Sequence, residues 1–471
     1  MRPFPRRLTH ALSCLAPALL IACAAPATST RDSVARVSGR SGESQAERYY
    51  RRGVDCMDEF DRPDCALDNL EQVVSLNPND RALTGDAIFR LIKLYKRAGE
   101  QERLTQLIRK YWELGKKRND ASVLSYGVQS FPRDLTTLAV FDIERLKKSR
   151  MLSILGEGLL EYRLTCDEER RDAMEYEAWL AVSVDEPDLQ GLEDEALREA
   201  FEAAKEARRV RRRQNERGRD GGDEDSEQAV PITSAICDVF AALGIDSFAA
   251  LDRVTFAGRH DDSARSLVSV ELRDIEALLQ AGIASGALTQ HSDRRWSLDG
   301  VLIGDEPVTL VQVDSDEVVV TRPALAAEVE QARATGKPTW SKELKKLAMT
   351  VPSDSCFFFV ADEEVLRWGM DNAGPLAALL PKPQGLVAAA ATYEHAGFFV
   401  RLHTPERFKA SALVWLAQKI LEGKQEDGAD DSDQPAWIED MDVALAPKGG
   451  DVIFGVTMSP AQARPMFEPS W

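Results

Sequence analysis

A segment that occurs twice, first at Pro132 and again at Pro352, is the strongest constraint that the sequence places on the fold. Residues 132–146 read PRDLTTLAVFDIERL and residues 352–366 read PSDSCFFFVADEEVL, with six of fifteen positions identical. In both copies a proline and an acid precede an apolar strand, and Asp142 or Asp362 is then placed to cap a helix. The match predicts two related α+β units. Coincidence is the alternative, because strand–turn–cap segments share residue types.

The elements predicted downstream follow one order in both halves. The first half is expected to have a strand at 178–184, a helix at 195–207, an acidic stretch at 218–227, strands at 253–258 and 266–272, and a helix at 274–279. The second is expected to have a strand at 397–402, a helix at 408–421, an acidic stretch at 423–433, strands at 442–446 and 451–458, and a helix at 461–467. This arrangement resembles uncharacterised extracytoplasmic bacterial proteins built from repeated α+β units, which implies a fold and no activity.

The predicted fold class is therefore α+β, with antiparallel sheets backed by helices. The first unit covers residues 132–285, with a disordered insert at about 212–230, and the second covers 351–471, with an insert at about 423–435. Residues 286–350 connect them. This connection is expected to contain strands at 288–298 and 308–321, turns at Asp299–Gly300 and Gly304–Asp305, and helices at 324–332 and 341–349.

Residues 45–120 are predicted to form helical hairpins. Ala66, Leu70 and Val73 lie on one helix face, and a trio with the same spacing follows at Leu104, Ile108 and Tyr111. The region resembles a tetratricopeptide (TPR) array, although the trios lie slightly further apart than the usual period of about 34 residues. The resemblance implies a face that docks a protein partner. The alternative is a helical cap on the following domain, because two repeats are marginal alone. The candidate docking residues are Tyr49, Tyr95 and Tyr111.

The N-terminus has the pattern of a secretory leader. Three arginines precede a short apolar run at residues 11–22, which ends Leu-Ile-Ala before Cys23. This ending resembles the lipobox of bacterial lipoproteins. The resemblance implies cleavage after Ala22, a lipid on the Cys23 sulphur, and a place in the cell envelope at the outer membrane, facing the periplasm. An ordinary signal peptide is the alternative. Residues 1–22 are thus the leader, and residues 23–44 are expected to be a disordered tether.

Charge argues against a nucleic-acid partner. The formal net charge is −19 and becomes −22 once the leader is removed, which repels polyanions overall. The basic run at 208–219 is interpreted as a helix end whose cations face the helix dipole, with contact to anionic lipid as the alternative.

Cysteines leave two interpretations open. Cys56 and Cys65 flank a turn and either form a disulfide between two helices or remain small buried thiols. A bridge between Cys166 and Cys237 is a further candidate.

No catalytic or metal motif is found. The histidines lack the spacing of a helical metal site, and there is no nucleophile elbow or phosphate loop. His395 and His403 flank a predicted strand and are expected at the surface. The sequence therefore predicts a non-enzymatic lipoprotein without cofactor, which binds the membrane by its lipid and docks a protein. The alternatives are an enzyme, whose polar cluster would be visible only in space, and a carrier of a hydrophobic ligand. The carrier would hold its ligand between the two units, in a cavity lined by Phe357, Phe359, Val387 and Phe399.

Overall fold

The computed structural model describes residues 44–76, 80–114, 131–132, 134–155, 165–183, 189, 192–219, 237, 239–245, 247, 250–303, 306–335, 341–352, 354–371, 383–404, 442–448 and 451–467. Several predictions fall outside these residues: the leader, lipidation at Cys23, all but the end of the tether, the helix at 408–421, the acidic insert at 423–435, and most of the insert at 212–230.

Helices precede, interrupt and follow the strands. They are α1 (Gln45–Asp58), α2 (Pro63–Leu76), α3 (Arg81–Arg97), α4 (Gln101–Leu114), α5 (Ile143–Lys147), α6 (Arg150–Leu155), α7 (Glu168–Ser183), α8 (Asp194–Arg219), α9 (Ile275–Ser285), α10 (Pro323–Thr335), α11 (Lys342–Ala348), α12 (Glu363–Asp371) and α13 (Pro460–Phe467).

The strands form one antiparallel sheet. They are β1 (Thr137–Asp142), β2 (Arg253–Arg259), β3 (Asp262–Glu271), β4 (Leu288–Ser292), β5 (Arg295–Ile303), β6 (Glu306–Gln312), β7 (Glu317–Thr321), β8 (Phe357–Asp362), β9 (Gly385–Thr392), β10 (Ala396–His403), β11 (Asp442–Lys448) and β12 (Asp451–Met458). Their order is β11-β12-β10-β9-β8-β1-β2-β3-β7-β6-β5-β4. The predicted α+β class is confirmed.

Capping residues determine where the first helices begin. Ser44 accepts a hydrogen bond from the Glu47 amide (3.2 Å), and the Glu47 carboxylate accepts one from the Ser44 amide (2.6 Å), which makes a capping box at α1. Asp80 caps α3 through the amide of Leu83 (3.1 Å). Gly99 turns the chain from α3 into α4 with φ +71°, which glycine adopts without strain. Helical hairpins are therefore present over residues 45–114.

The sheet is covered on both faces in its first half. One core cluster joins α1–α4, α10 and α11 to one face, and a second joins α9, Val239 and Phe240 to the other. Val319 belongs to the first cluster, whereas Val318 and Val320 belong to the second, as the two-residue period of a strand requires. The helical hairpins lie on the second half, where α3 and α4 contact β11 and β12.

The pairing of β1 with β8 brings the two copies of the repeated segment side by side. The register places Ala139 opposite Phe359, and these residues occupy the same position in the two copies of the repeat. The Asp142 amide donates to the Cys356 carbonyl (2.7 Å), and the Asp362 amide donates to the Thr136 carbonyl (3.1 Å). The sheet then reads β2-β3-β7-β6 outward on one side and β9-β10-β12-β11 on the other. Four strands on each side of the β1–β8 pair therefore follow the same pattern of connections.

This order corrects the element-by-element match made from the sequence. The sequence analysis matched β2, β3 and α9 with β11, β12 and α13. In the sheet, the strands that follow β8 outward are β9 and β10, so these are the equivalents of β2 and β3, which follow β1. The β6–β7 hairpin, in turn, occupies the place equivalent to β11–β12. The prediction was wrong because the β4–β5 hairpin and α9 precede β6 in the chain, so order along the chain differs from position in the sheet.

Two predicted strands differ in the structure. Residues 178–183 belong to helix α7, where Trp179 packs on Phe201 of α8 with ring centroids 5.7 Å apart. A short apolar run does not distinguish a buried helix from a strand. Residues 288–298 form the hairpin β4–β5, and Asp299 and Gly300 lie inside β5 instead of forming a turn. Gly300 has φ +83° at an irregularity in the β5–β6 register, so its turn signal marks a bulge.

Candidate functional site

A group of charged side chains is buried where the helical hairpins meet the sheet. Asp86 of α3 is 2% exposed. Its Oδ1 accepts from the backbone amides of Glu394 (3.1 Å) and His395 (2.8 Å), in the turn between β9 and β10. Its Oδ2 accepts from the Tyr50 hydroxyl of α1 and from Nε of Arg90 (2.9 Å). One carboxylate thus connects α1, α3 and the β9–β10 turn.

Arg90 extends this network. Its side chain is 1% exposed, and a guanidinium nitrogen lies 3.0 Å from the Glu394 carboxylate. A second nitrogen lies 3.4 Å from Asp58 at the end of α1. A buried cation needs such partners, because an unpaired one would carry a large desolvation cost. We call the whole group the junction cluster; its members are Tyr50, Asp58, Asp86, Arg90, Glu394 and His395.

The electrostatics of the junction cluster favour fixed charges. Burial alone would raise the pKa of Asp86, but His395, Arg90 and Tyr50 outweigh it and hold this pKa well below its usual range. Burial and the Asp86 carboxylate raise the pKa of the Tyr50 phenol far above its usual value. Burial opposes the charge of Arg90, yet Asp86 and its other neighbours raise the pKa of the guanidinium. These three groups therefore keep their protonation states near neutral pH.

Two glycines allow the helices and the sheet to approach closely beside the cluster. A Cβ added at Gly85 of α3 would overlap the ring of Tyr393, and one added at Gly397 of β10 would overlap Phe89. The space is filled by rings, since the centroid of Phe89 lies 5.2 Å from that of Tyr393 and 5.1 Å from that of Tyr111. The helical hairpins are thus packed on the sheet as tightly as a domain core.

The structure places the three tyrosines that the sequence selected for docking in different environments. Tyr49 is half-buried on α1. Tyr95 is buried and donates a hydrogen bond to Glu71, and Tyr111 is fully buried, with its ring 4.4 Å from that of Phe399. Tyr95 and Tyr111 therefore pack inside the protein.

Sequence reasoning missed the junction cluster and placed His395 at the surface, which is wrong: His395 is 5% exposed. One signal was present. Asp86 and Arg90 lie four residues apart within an almost entirely apolar helix segment, and charged residues there are buried only when paired. Their partners Glu394 and His395 lie far along the chain, beyond most of the sheet, so no local pattern connects them.

A second polar group lies near the end of α4. Asp451 of β12 accepts from Nε of Arg401 (2.7 Å), and its other oxygen lies 2.6 Å from Nδ1 of His403. A carboxylate that orients an imidazole is also found beside catalytic nucleophiles. Here the carboxylate and the imidazole join the ends of β12 and β10, and this arrangement by itself stabilises the strand ends.

An acidic row occupies the equivalent position in the first half. One row of paired residues crosses β1, β2, β3 and β7 in the first half and consists of Asp142, Arg253, Glu271 and Glu317. The row at the matching register of β8, β9, β10 and β12 consists of Asp362, Gly385, His403 and Asp451. Burial raises the pKa of Glu317 to about 7, against a hydrogen bond from Ser269 that lowers it. Glu271, whose carboxylate is paired with Arg253, adds to the rise. The two rows share positions and differ in chemistry.

Four cysteines are joined in pairs. Cys56 is bonded to Cys65, with Cα atoms 5.8 Å apart, and Cys166 is bonded to Cys237, with Cα atoms 5.2 Å apart. Cys356 is a buried free thiol. The first bridge connects α1 with α2, and the second closes the segment that contains α7 and α8.

The four residues that the carrier hypothesis selected are mostly buried. Phe399 packs on Tyr111, and the ring of Phe357 lies 4.7 Å from that of Phe141. Val387 is buried and Phe359 is half-buried. A cleft of about 300 Å³ lies elsewhere and has a mixed polar and apolar lining. Its lining includes Asp293, Arg294, Gln312, Glu330 and Arg333.

Within the described ranges, no three acidic, histidine or cysteine side chains are grouped so as to hold a metal ion. None of the helices in that part of the chain is both long enough and apolar enough to cross a bilayer. The chain matches no protein-family model, no curated protein and no solved structure.

Proposed function

We propose that this chain is a non-enzymatic lipoprotein of the bacterial cell envelope that serves as a rigid scaffold for a protein partner. The junction cluster carries the proposal. Its charges are paired, and the pKa values of Asp86, Tyr50 and Arg90 are displaced away from neutrality, so these three groups are suited to fixing orientation and unsuited to proton transfer. A scaffold requires the helices that meet a partner to be held firmly on the rest of the molecule.

The leader and the disulfides support the location. The lipobox resemblance makes Cys23 the lipid-bearing residue, and acyl chains buried at about 0.8 kcal/mol per methylene would hold the protein on the outer membrane, facing the periplasm. Disulfides persist in oxidising compartments and are rare in the cytosol. Two bridges and one buried thiol account for all other cysteines of the mature chain.

The four N-terminal helices are proposed to be TPR-like. Gly53 of α1 supports this, since a Cβ there would lie 2.7 Å from the side chain of Leu70 on α2, so the two helices pack through a small residue. The faces of α3 and α4 toward β11 and β12 are occupied by the sheet. We therefore place the docking surface on the exposed part of the α1–α2 hairpin, which includes Phe60 (61% exposed) in the turn between the helices and Leu76 at the end of α2, with the half-buried Tyr49 of α1.

We also infer that the two α+β units arose by duplication. The support is the β1–β8 register, which brings matching positions of the two copies opposite each other, and the matching strand order on both sides. The two units would then act as one continuous base beneath the helices.

The docking proposal is tested by capture of partners from native membranes. Lipid-anchored protein carrying Phe60→Asp is compared with the wild type and with Leu302→Asp, a control at a similarly exposed residue on β5 (55% exposed). We expect a protein that crosslinks to the wild type and to the control but not to Phe60→Asp. Equal capture by all three proteins would contradict the docking surface.

The lipid anchor is tested separately. Cys23→Ser is expected to move the protein from the membrane fraction to the periplasmic fraction and to abolish labelling by a fatty-acid probe. Unchanged fractionation and labelling would contradict lipidation at this residue.

A further inference from the structure

The first unit contains a long arginine-rich helix, α8, which has no counterpart among the residues that the structure describes in the second unit. Between β1 and β2 the chain makes a long excursion, which contains α7 and α8, whereas the equivalent connection from β8 to β9 covers only residues 363–384. The sheet does not require the longer connection, because the second half reaches the same strand order with the shorter connection between β8 and β9. A segment that the fold does not need is a candidate for a separate function.

The first part of α8 is held firmly. Phe201 is fully buried, and its ring lies 5.3 Å from that of Tyr176 on α7. Lys205 forms an ion pair with Asp172 of α7. The Cys166–Cys237 bridge closes the base of this excursion. The first part of α8 is therefore packed against α7.

Beyond Lys205 the sequence of the helix becomes basic. Glu206, Ala207 and Val210 are exposed, and the backbone remains helical to Arg219. We call residues 208–219 the basic arm; at 1.5 Å per residue it is about 18 Å long. It carries one acid, Glu216, and seven arginines, in a chain whose net charge is −19. The arginines are Arg208, Arg209, Arg211, Arg212, Arg213, Arg217 and Arg219.

We propose that the basic arm binds the anionic headgroups of a phospholipid surface. Clusters of four to eight basic residues on a helix are typical of binding to anionic lipid. A nucleic acid is less suited, because no aromatic residue on which a base could stack is interleaved with these arginines. The inference rests on the proposed lipoprotein function in one respect, which is that a lipid anchor keeps a membrane within reach of the arm.

The test uses the full chain carrying Cys23→Ser, so that acylation does not contribute to binding. Its cosedimentation is measured with vesicles of phosphatidylcholine alone and with vesicles in which phosphatidylglycerol makes up about a third of the lipid. The arm variant carries Arg211→Gln, Arg212→Gln and Arg213→Gln. A matched control removes the same charge from α1 through Arg48→Gln, Arg51→Gln and Arg52→Gln. Glutamine preserves helix propensity in both.

We expect binding to the anionic vesicles alone. The arm variant should bind about a hundredfold more weakly, since each arginine near an anionic surface contributes roughly fivefold. The control should remain within about twofold of the wild type. Replacing the same three arm arginines by lysine should preserve most of the binding, because it retains the charge.

Three outcomes would overturn the inference: equal binding by the arm variant and the control, equal binding to both kinds of vesicle, or tighter binding to a single-stranded oligonucleotide than to anionic vesicles. The chain under test has no lipid, so these outcomes are distinct from a failure of Cys23 acylation, which the fractionation experiment measures.

Discussion

Replacing Asp86 by asparagine should weaken the attachment of the helical hairpins to the sheet. The substitution keeps the size of the side chain and removes the charge that faces Arg90, whose guanidinium is buried. Removing one partner of a buried ion pair costs about 3–5 kcal/mol. Arg90 retains Glu394 at 3.0 Å and Asp58 at 3.4 Å, so we expect the lower end of this range, about 3 kcal/mol.

Urea unfolding followed by tryptophan fluorescence measures this loss, since Trp112 of α4 is buried in the cluster that joins helices and sheet. Glu363→Gln is the matched control, because it removes an exposed ion pair with Arg367 and should cost about 0.3–0.5 kcal/mol. Hydrogen exchange gives a local readout. The amides of Glu394 and His395 donate to Asp86 and should lose protection in Asp86→Asn.

A double variant tests the reason for the loss. Asp86→Asn combined with Arg90→Met removes both buried charges and keeps a side-chain oxygen to accept from the Glu394 and His395 amides, so it should be more stable than Asp86→Asn although it changes more atoms. The pKa of Asp86 is depressed on folding, so its stabilisation should be present above about pH 4 and be lost as the pH falls below that value. A cost below about 1 kcal/mol for Asp86→Asn, or a double variant less stable than the single one, would refute the reasoning.

Three further predictions concern other parts of the molecule. The pKa of Glu317 rises from 4.5 to about 7 on folding, so the wild type should lose about 2–3 kcal/mol of stability as the pH rises from 5 to 8. Glu317→Gln has no charge to bury and should lose much less, as measured by urea unfolding at both pH values. Replacing Cys56 and Cys65 by serine should lower the free energy of unfolding by about 2–3 kcal/mol, as expected for a short loop. A reductant should destabilise the wild type more than this double variant, because only the wild type then loses the Cys56–Cys65 bridge. Equal destabilisation of the two proteins would contradict the prediction. Gly397→Ala should cost about 1–3 kcal/mol by forcing Phe89 away, and an unchanged urea midpoint would show that the ring moves freely.

Local patterns predicted elements well where strands were short and bounded by turns. The strand at 451–458 matches β12, and the helices predicted at 324–332 and 341–349 correspond to α10 and α11. Asp142 caps α5 through the amide of Arg145 (2.8 Å), as the repeat predicted. These features depend only on residues that are close together in the sequence, so they can be predicted from it.

Features that depend on distant residues could not be derived in the same way. The strand at 178–184 was mistaken because an apolar run fits a buried helix equally well, and here Phe201 on α8 provides the contact. Prediction of the junction cluster would have required knowing that the β9–β10 turn lies beside α3. The symmetric register of β1 and β8 was implicit in the constant offset between the two copies, yet nothing local indicated that they pair with each other.

The width of the sheet has a consequence for association between copies. In the described part of the chain the sheet ends at β4 and β11, and a terminal strand with free amides and carbonyls can recruit a strand from another molecule. β4 has five residues, of which four are exposed, and β11 contains Pro447, which offers no amide to a neighbour. Both borders are thus poor templates for strand addition, which disfavours fibrillar self-assembly of the protein at high local concentration.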